Sequence, residues 1–137
     1  MRTSKSELKN LVYQVNGAAI SVHQALGQGL LEGVYHKCMK HELALRGIQF
    51  ISEMKVPVEY KGEMIEAELK CDLYVEGILP VELKAVETIL PIHEAQLLTY
   101  MKLLRAPEGL LINFNVVHIF KEGQRTFVNE LYRNLPP

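Results

Sequence analysis

The spacing of apolar residues divides the chain into an N-terminal helical part and a later part rich in strands. Across residues 6–26 apolar side chains recur every three or four positions, which predicts a helix with one buried stripe. Gly27 and Gly29 mark its end, because glycine stops helices readily. Similar spacing predicts a second helix over residues 31–46. Two neighbouring helices are therefore expected before the first strand.

From residue 48 onward the pattern is typical of strands, with alternating apolar positions and many β-branched and aromatic residues. The predicted strands cover residues 48–52, 55–60, 64–75, 79–86, 109–114 and 116–120, with a short one near Thr126. Lys61-Gly62 and Glu76-Gly77 predict tight turns between strands. Pro91 suits the first turn of a helix that extends to about residue 105. The tail ending in Pro136-Pro137 is expected to be frayed.

This order of elements predicts an α/β protein in which a central mixed β-sheet is flanked by helices. A chain of 137 residues with 48% hydrophobic and 23% charged residues is typical of one soluble domain, here residues 1–137. No apolar run is long enough to cross a bilayer, and the first ten residues lack the apolar core of a signal peptide. Cys38 and Cys71 lack zinc-ligand spacing and are expected to be reduced and partly buried. These features predict a cytoplasmic protein.

The charge balance argues against a non-specific nucleic-acid coat protein. The formal net charge is −1, whereas such a protein usually carries a strong positive excess. A metal-dependent nuclease is not excluded, because it concentrates carboxylates at its centre and bound cations restore positive charge there.

Asp72, Glu82 and Lys84 form the constellation with the clearest chemical meaning. Side chains alternate along a strand, so Glu82 and Lys84 point to the same face of the predicted sheet. Asp72 joins that face opposite Glu82 only if the intervening turn is centred on Gly77, which requires a three-residue loop over residues 76–78 or a bulge. A plain two-residue turn would place Asp72 opposite Val81 instead.

If the three-residue loop forms, the residues fit a metal centre. Asp72, Glu82 and the backbone carbonyl of Leu83 would offer oxygen ligands to Mg²⁺ or Mn²⁺. Such a cation polarises a phosphodiester and lowers the pKa of water, while Lys84 would orient water or stabilise charge on the phosphate. The alternative is an ordinary salt-bridge ladder on a solvated strand face.

Five ordered motifs give the chain a resemblance to a known family. They are G-x-x-E-x-x-Y at residues 29–35, V-E-L-K-A-V-E at 81–87, I-H-E-A-Q-L at 92–97, T-Y at 99–100 and G-L-L-I-N-F at 109–114. Together they closely resemble the bacterial GxxExxY family, a branch of the PD-(D/E)XK nuclease superfamily. The likeness extends from about Val15 to Phe114.

The resemblance implies a restriction-endonuclease-like core and a set of site residues. Glu32 would be the acid contributed by an early helix, and Asp72 with the Glu82/Lys84 pair would form the core of the metal site. Gln96 and Tyr100 would be an accessory pair on the helix that follows. Their spacing of four residues places both on one helical face.

Three functions remain open from the sequence. The first is a nuclease that uses Mg²⁺ or Mn²⁺ to hydrolyse nucleic acid, with DNA favoured over RNA. The second is a non-catalytic module that binds nucleic acid or protein within a repair or defence assembly. The third is an interaction domain whose charged strand face lies in solvent. Retention of both carboxylates and the lysine argues for the first, whereas the small size and near-neutral charge suggest a homodimer or a partner subunit.

Overall fold

The computed structural model describes residues 3–137, so that Met1 and Arg2 of the predicted domain lie outside the described part. The α-helices are α1 (Lys5–Leu26), α2 (Glu32–Leu45), α3 (Pro91–Leu104) and α4 (Glu130–Arg133), and Ile119–Gly123 form a π-helical turn. The strands are β1 (Phe50–Lys55), β2 (Val58–Tyr60), β3 (Glu63–Ile65), β4 (Lys70–Val75), β5 (Leu79–Lys84), β6 (Glu108–Asn113) and β7 (Gln124–Val128).

A five-stranded mixed sheet in the order β1-β4-β5-β6-β7 forms the centre of the protein. Strands β5 and β6 are parallel and joined through α3, while the other neighbouring pairs are antiparallel. Helices α1 and α2 cover the face that presents Leu73, Val81 and Ile112. Helix α3 covers the opposite face, where Leu97 and Leu111 pack together. The predicted mixed sheet flanked by helices is therefore confirmed.

The two N-terminal helices form where the apolar spacing predicts them. The Ser4 hydroxyl accepts a hydrogen bond from the Glu7 N–H at 3.1 Å, which caps the start of α1. The buried stripe of α1 consists of Leu8, Val15, Ala18, Ala19 and Val22. Helix α2 contributes Tyr35, Met39 and Leu43 to the same core. Burial of this shared apolar face stabilises both helices against the sheet.

The hairpin between β4 and β5 has the predicted three-residue loop. Leu73 pairs with Val81 and Val75 with Leu79, which leaves residues 76–78 as the loop. Glu76 and Gly77 both have positive φ, 53° and 68°, and such a conformation is inexpensive for glycine. Continued in the same register, the hairpin places Asp72 opposite Glu82.

The predicted strand over residues 64–75 is wrong in its first half. The chain leaves β3 at Ile65 and enters β4 only at Lys70, and β2 and β3 pair solely with each other. The Lys61-Gly62 turn is confirmed between these two strands. Residues 57–68 are exposed apart from a half-buried Val58, so the ribbon lacks a core face that would hold it in the central sheet.

The predicted strand over residues 116–120 is also wrong, because β7 occupies the edge beside β6. The intervening chain instead turns through the π-helical segment and buries Ile119. Gly123 makes this turn possible: a Cβ atom there would lie 2.3 Å from the Asn113 carbonyl oxygen. Any larger residue would push the turn away from β6.

The C-terminal tail is ordered, contrary to the prediction of fraying. The Pro136 and Pro137 carbonyls accept hydrogen bonds from the N–H groups of Lys5 and Ser6 at 2.9 and 3.0 Å. Since the first N–H groups of a helix have no partner within the helix, the tail supplies acceptors that α1 lacks.

Both cysteines are free: Cys38 is half-buried and Cys71 is fully buried. Over residues 3–137, none of the helices combines the length and apolar character that a membrane crossing requires.

Candidate active site

The site begins where the backbone ladder between β4 and β5 ends. Beyond the Leu73–Val81 pair, side chains take over the hydrogen bonds of the two strands. The Asp72 N–H donates to the Glu82 carboxylate at 2.8 Å, and the Leu83 N–H donates to the Asp72 carboxylate at 2.8 Å. Each acid is therefore fixed by the strand that carries the other, and both carboxylates are held at one point of the sheet.

Glu82 lies in an environment that disfavours its charged form. Its side chain is only 3% exposed. Burial and the neighbouring Asp72 charge raise the pKa of Glu82 from 4.5 to about 8, although the Asp72 N–H and Lys84 oppose the shift. The ion pairs formed among residues 3–137 join Arg46 to Glu42 and Arg125 to Glu94, so neither Asp72 nor Glu82 takes part in one. The two acids thus lack a close cationic partner from the described side chains.

Glu32, the first residue of α2, is a third acid near this site. Partial burial raises the pKa of Glu32, and the shift is opposed most by the positive charge of Lys84 and reinforced by Asp72. These influences place Glu32 within electrostatic range of both residues. Lys84 itself is half-buried at the end of β5.

Tyr35 explains why Glu32 is held there. The Tyr35 hydroxyl donates to the Gly27 carbonyl at 2.7 Å and accepts from the Leu30 N–H at 3.2 Å. Its ring is buried and stacks on Phe114 with the ring centroids 4.6 Å apart. The tyrosine of the G-x-x-E-x-x-Y motif thereby ties the loop before α2 to the core, and it fixes the helix start that carries the glutamate.

Gln96 and Tyr100 approach the carboxylates from α3. The Gln96 amide donates to the Tyr100 hydroxyl at 3.1 Å. Tyr100 is 4% exposed, and burial, followed by the charge of Glu82, raises the pKa of its hydroxyl. An open cavity of about 300 Å³ lies beside this pair and is also lined by Leu69 and His93. All six side chains singled out from the sequence therefore gather in one region.

Three further residues at this region were not singled out by the sequence. His36 contacts the Ser52 hydroxyl at 3.0 Å, and His93 accepts the Leu90 N–H at 3.0 Å, which caps α3. Both histidines lie within electrostatic range of Glu32. Asn113 is 3% exposed at the end of β6 and reaches the chain beyond Lys84. In the sequence, Asn113 is the polar residue that ends an otherwise apolar strand, and it lies within the G-L-L-I-N-F motif.

The donor set fits a hard cation that keeps part of its water shell. Among residues 3–137, no group of three or more His, Cys, Asp or Glu side chains could hold a metal ion. Mg²⁺ needs fewer, because it commonly binds through one or two carboxylates and retains several waters. Asp72 and Glu82 could provide those carboxylates, and a cation would offset the charge that burial disfavours.

The burial of Glu82 also contradicts the alternative of an interaction domain with a charged strand face, because that alternative requires the face to lie in solvent.

Comparison with known proteins gives one family. No curated protein and no solved structure matches the chain. A protein-family model described as the PD-(D/E)XK nuclease superfamily matches residues 9–126, which is most of the sequence. The mixed sheet with helices on both faces is consistent with the restriction-endonuclease-like fold of that superfamily. The chain belongs to the PD-(D/E)XK nuclease superfamily.

Proposed function

We propose that this protein is a metal-dependent nuclease of the GxxExxY branch that hydrolyses phosphodiester bonds in DNA in preference to RNA. Membership of the superfamily supports nuclease activity in general. The observation that carries the specific proposal is the pairing of Asp72 with Glu82 beside Lys84. Two acids held together, one buried and the other half-buried, are costly for stability, and that cost is typical of a functional site.

Each side chain has a role that follows from its position. Asp72, Glu82 and the Leu83 carbonyl would hold Mg²⁺ or Mn²⁺. When bound, the cation supplies Lewis-acid polarisation of the phosphodiester and a lowered pKa for water. The Lys84 ammonium stabilises negative charge that grows on the phosphate, and Glu32 orients Lys84 through its opposite charge.

The pair on α3 provides neutral hydrogen-bond donors. The Tyr100 hydroxyl keeps its proton at neutral pH, and burial with the nearby acids raises its pKa further. The hydroxyl can then donate to a phosphate oxygen while it accepts from Gln96. Such donors position the substrate without adding charge to the site.

The raised pKa of Glu82 makes cation binding depend on pH. A divalent cation needs the ionised carboxylate, so binding must displace the proton that Glu82 retains below about pH 8. We expect Mn²⁺ to bind more tightly at pH 8 than at pH 6.

A second candidate function is a non-catalytic module that binds nucleic acid or protein within a repair or defence assembly. The net charge of −1 favours the protein-binding form of this module, because phosphate contacts need positive charge, which this chain does not carry in excess. The same charge supports a homodimer or a partner subunit for the nuclease as well. In either case we propose one cytoplasmic domain over residues 1–137.

Electron paramagnetic resonance of Mn²⁺ tests the metal site directly. The samples are the wild type, the Asp72→Asn/Glu82→Gln double variant, and Glu108→Gln as a control that alters a buried acid elsewhere. Binding by the wild type and by the control, but not by the double variant, supports a cation between the two acids. Equal binding by all three, or by none, contradicts the proposal and favours the non-catalytic module. Cleavage of single- and double-stranded DNA and RNA then separates catalysis from binding.

A further inference from the structure

We infer that Asn113 is a positioning residue that fixes the end of β5 for metal binding. This inference rests on the proposed function, because it concerns the strand segment that carries Glu82, Leu83 and Lys84. Asn113 is an uncharged side chain at the end of β6 that none of the roles above includes.

The side chain of Asn113 makes the hydrogen bonds to Val86 that a neighbouring strand would otherwise make. Its Oδ1 accepts the Val86 N–H at 3.0 Å, and its Nδ2 donates to the Val86 carbonyl at 2.9 Å. The same oxygen also accepts the Asn115 N–H at 3.2 Å. One amide therefore satisfies both backbone groups of Val86 and holds its own chain as well.

The register places this amide beside the proposed site. Lys84 pairs with Asn113 across the parallel β5–β6 ladder, so the two side chains lie on the same face. The Phe114 N–H donates to the Lys84 carbonyl at 2.8 Å. Beyond that bond the backbone ladder ends, and the Asn113 side chain ties Val86, two residues further along, to β6.

The segment from Glu82 to Val86 has left the ladder with β4, while the ladder with β6 continues to Lys84 and the Asn113 side chain extends that attachment to Val86. On the β4 side, the Leu83 N–H donates to Asp72. On the β6 side, Asn113 binds Val86. Strand β5 can therefore separate from β4 here while its attachment to β6 keeps its position fixed, and this leaves the Leu83 carbonyl available to the proposed ligand set.

A purely structural amide offers a sharp contrast. Asn129 also binds backbone at two places: its Nδ2 donates to the Ala106 carbonyl at 2.9 Å, and its Oδ1 accepts the Leu131 N–H at 3.1 Å. It lies at the start of α4, away from Asp72 and Glu82. Loss of either asparagine removes side-chain hydrogen bonds to the backbone, but only Asn113 adjoins the site.

The test compares Mn²⁺ dissociation constants, measured by electron paramagnetic resonance well below the melting temperature, for wild type, Asn113→Ala and Asn129→Ala. We expect Asn113→Ala to weaken binding about 10-fold or more, the usual scale for residues that orient metal ligands. Asn129→Ala should bind like the wild type although its melting temperature falls. Asn113→Ser, which retains one hydrogen-bonding group, serves if the alanine variant does not fold, and it should show a smaller loss.

The outcomes separate this inference from the proposed function. If the wild type binds Mn²⁺ through Asp72 and Glu82 but folded Asn113 variants bind equally well, only the positioning role is overturned. An equal loss in Asn129→Ala overturns it too, because the effect would then be general destabilisation. If the wild type itself does not bind Mn²⁺, the proposed function fails and the inference fails with it.

Discussion

Two buried glutamates in neighbouring strands show what distinguishes a site from a merely buried acid. Glu82 in β5 and Glu108 in β6 are 3% and 6% exposed, and burial raises the pKa of both. Glu82 also interacts with Asp72, Lys84 and a backbone N–H. For Glu108 burial is the sole cause, and its Oε1 has no hydrogen-bond partner among the described residues.

The two acids also lie at opposite ends of the parallel pair, because Glu108 begins β6 whereas Glu82 lies near the end of β5. A raised pKa therefore marks burial in both places. Only Glu82 lies close to other charged groups, Asp72 and Lys84, and this difference between the two glutamates can be tested.

The largest expected difference between the two glutamates is in cleavage of DNA. Glu82→Gln should lower kcat by more than about 100-fold, because even partners that merely orient metal ligands cost 10–100-fold. Glu108→Gln should stay within about twofold of wild type. Cleavage assays with Mg²⁺ or Mn²⁺ on both folded variants measure this contrast. A Glu82→Gln variant that retains full activity would remove the distinction between the two acids.

The second difference between the two glutamates is a nearby lysine. Lys84 influences the pKa of Glu82, whereas no lysine influences the pKa of Glu108. Lys84→Met keeps the apolar stem and removes the charge, so kcat should fall about 100-fold through loss of charge stabilisation. Mn²⁺ binding should persist, because the carboxylates remain. Lys102→Met, on the exposed side of α3, is the matched control and should cleave normally. Loss of Mn²⁺ binding in Lys84→Met would assign the lysine to folding of the site instead.

The third difference concerns stability as pH changes. Between about pH 4.5 and pH 8 the folded state keeps a proton on Glu82 that the unfolded state has lost, so stability falls as pH rises through this window. Mg²⁺ should reverse the loss by compensating the ionised acids, and it should raise the melting temperature by several degrees at pH 8 but little at pH 5.

Thermal denaturation with and without Mg²⁺ separates the two glutamates. Glu82→Gln should show a weaker decline with pH and no response to Mg²⁺. Glu108→Gln should also decline less, because its acid is likewise buried, yet it should keep the response to Mg²⁺. An equal Mg²⁺ response in both variants would place the cation elsewhere.

The site hairpin could be predicted from the sequence because its signals are local. Strand alternation fixed the common face of Glu82 and Lys84, and the glycine at position 77 suited the three-residue loop. The helices were predicted for a similar reason, since their apolar stripes follow one periodicity. Conversely, β3 was predicted as part of a long strand over residues 64–75, because alternation does not show whether a partner strand is present.

Other features depend on contacts between residues far apart in sequence. The tail was expected to fray, yet it is held by N–H groups more than 100 positions earlier. Asn113 acts on Val86, 27 residues before it, through a hydrogen-bonded amide that no periodicity reveals. Such pairings become visible only once the sheet order is known.

The smallest expected effect concerns Tyr100 on α3, which lies near Glu82. The charge of Glu82 contributes to the raised pKa of Tyr100, so the hydroxyl lies near the acids. Tyr100→Phe removes that hydroxyl and its bond to Gln96 while it preserves the buried ring. If the hydroxyl donates one neutral hydrogen bond to the substrate, kcat/KM should fall about 5–10-fold, as expected for roughly 1 kcal/mol. Mn²⁺ affinity should not change, because phenylalanine leaves both carboxylates in place.

Leu98→Ala is the matched control for this change, since Leu98 is exposed on the same helix and is not among the residues that line the cavity beside Gln96 and Tyr100. It should leave kcat/KM unaltered. A Gln96→Ala variant should resemble Tyr100→Phe, and the double variant should lose little more than either single one, because the two side chains act through one hydrogen bond. Additive losses would mean that Gln96 and Tyr100 contact the substrate independently. No loss in either variant would confine the active site to the sheet and α2, and the cavity beside α3 would then lie outside it.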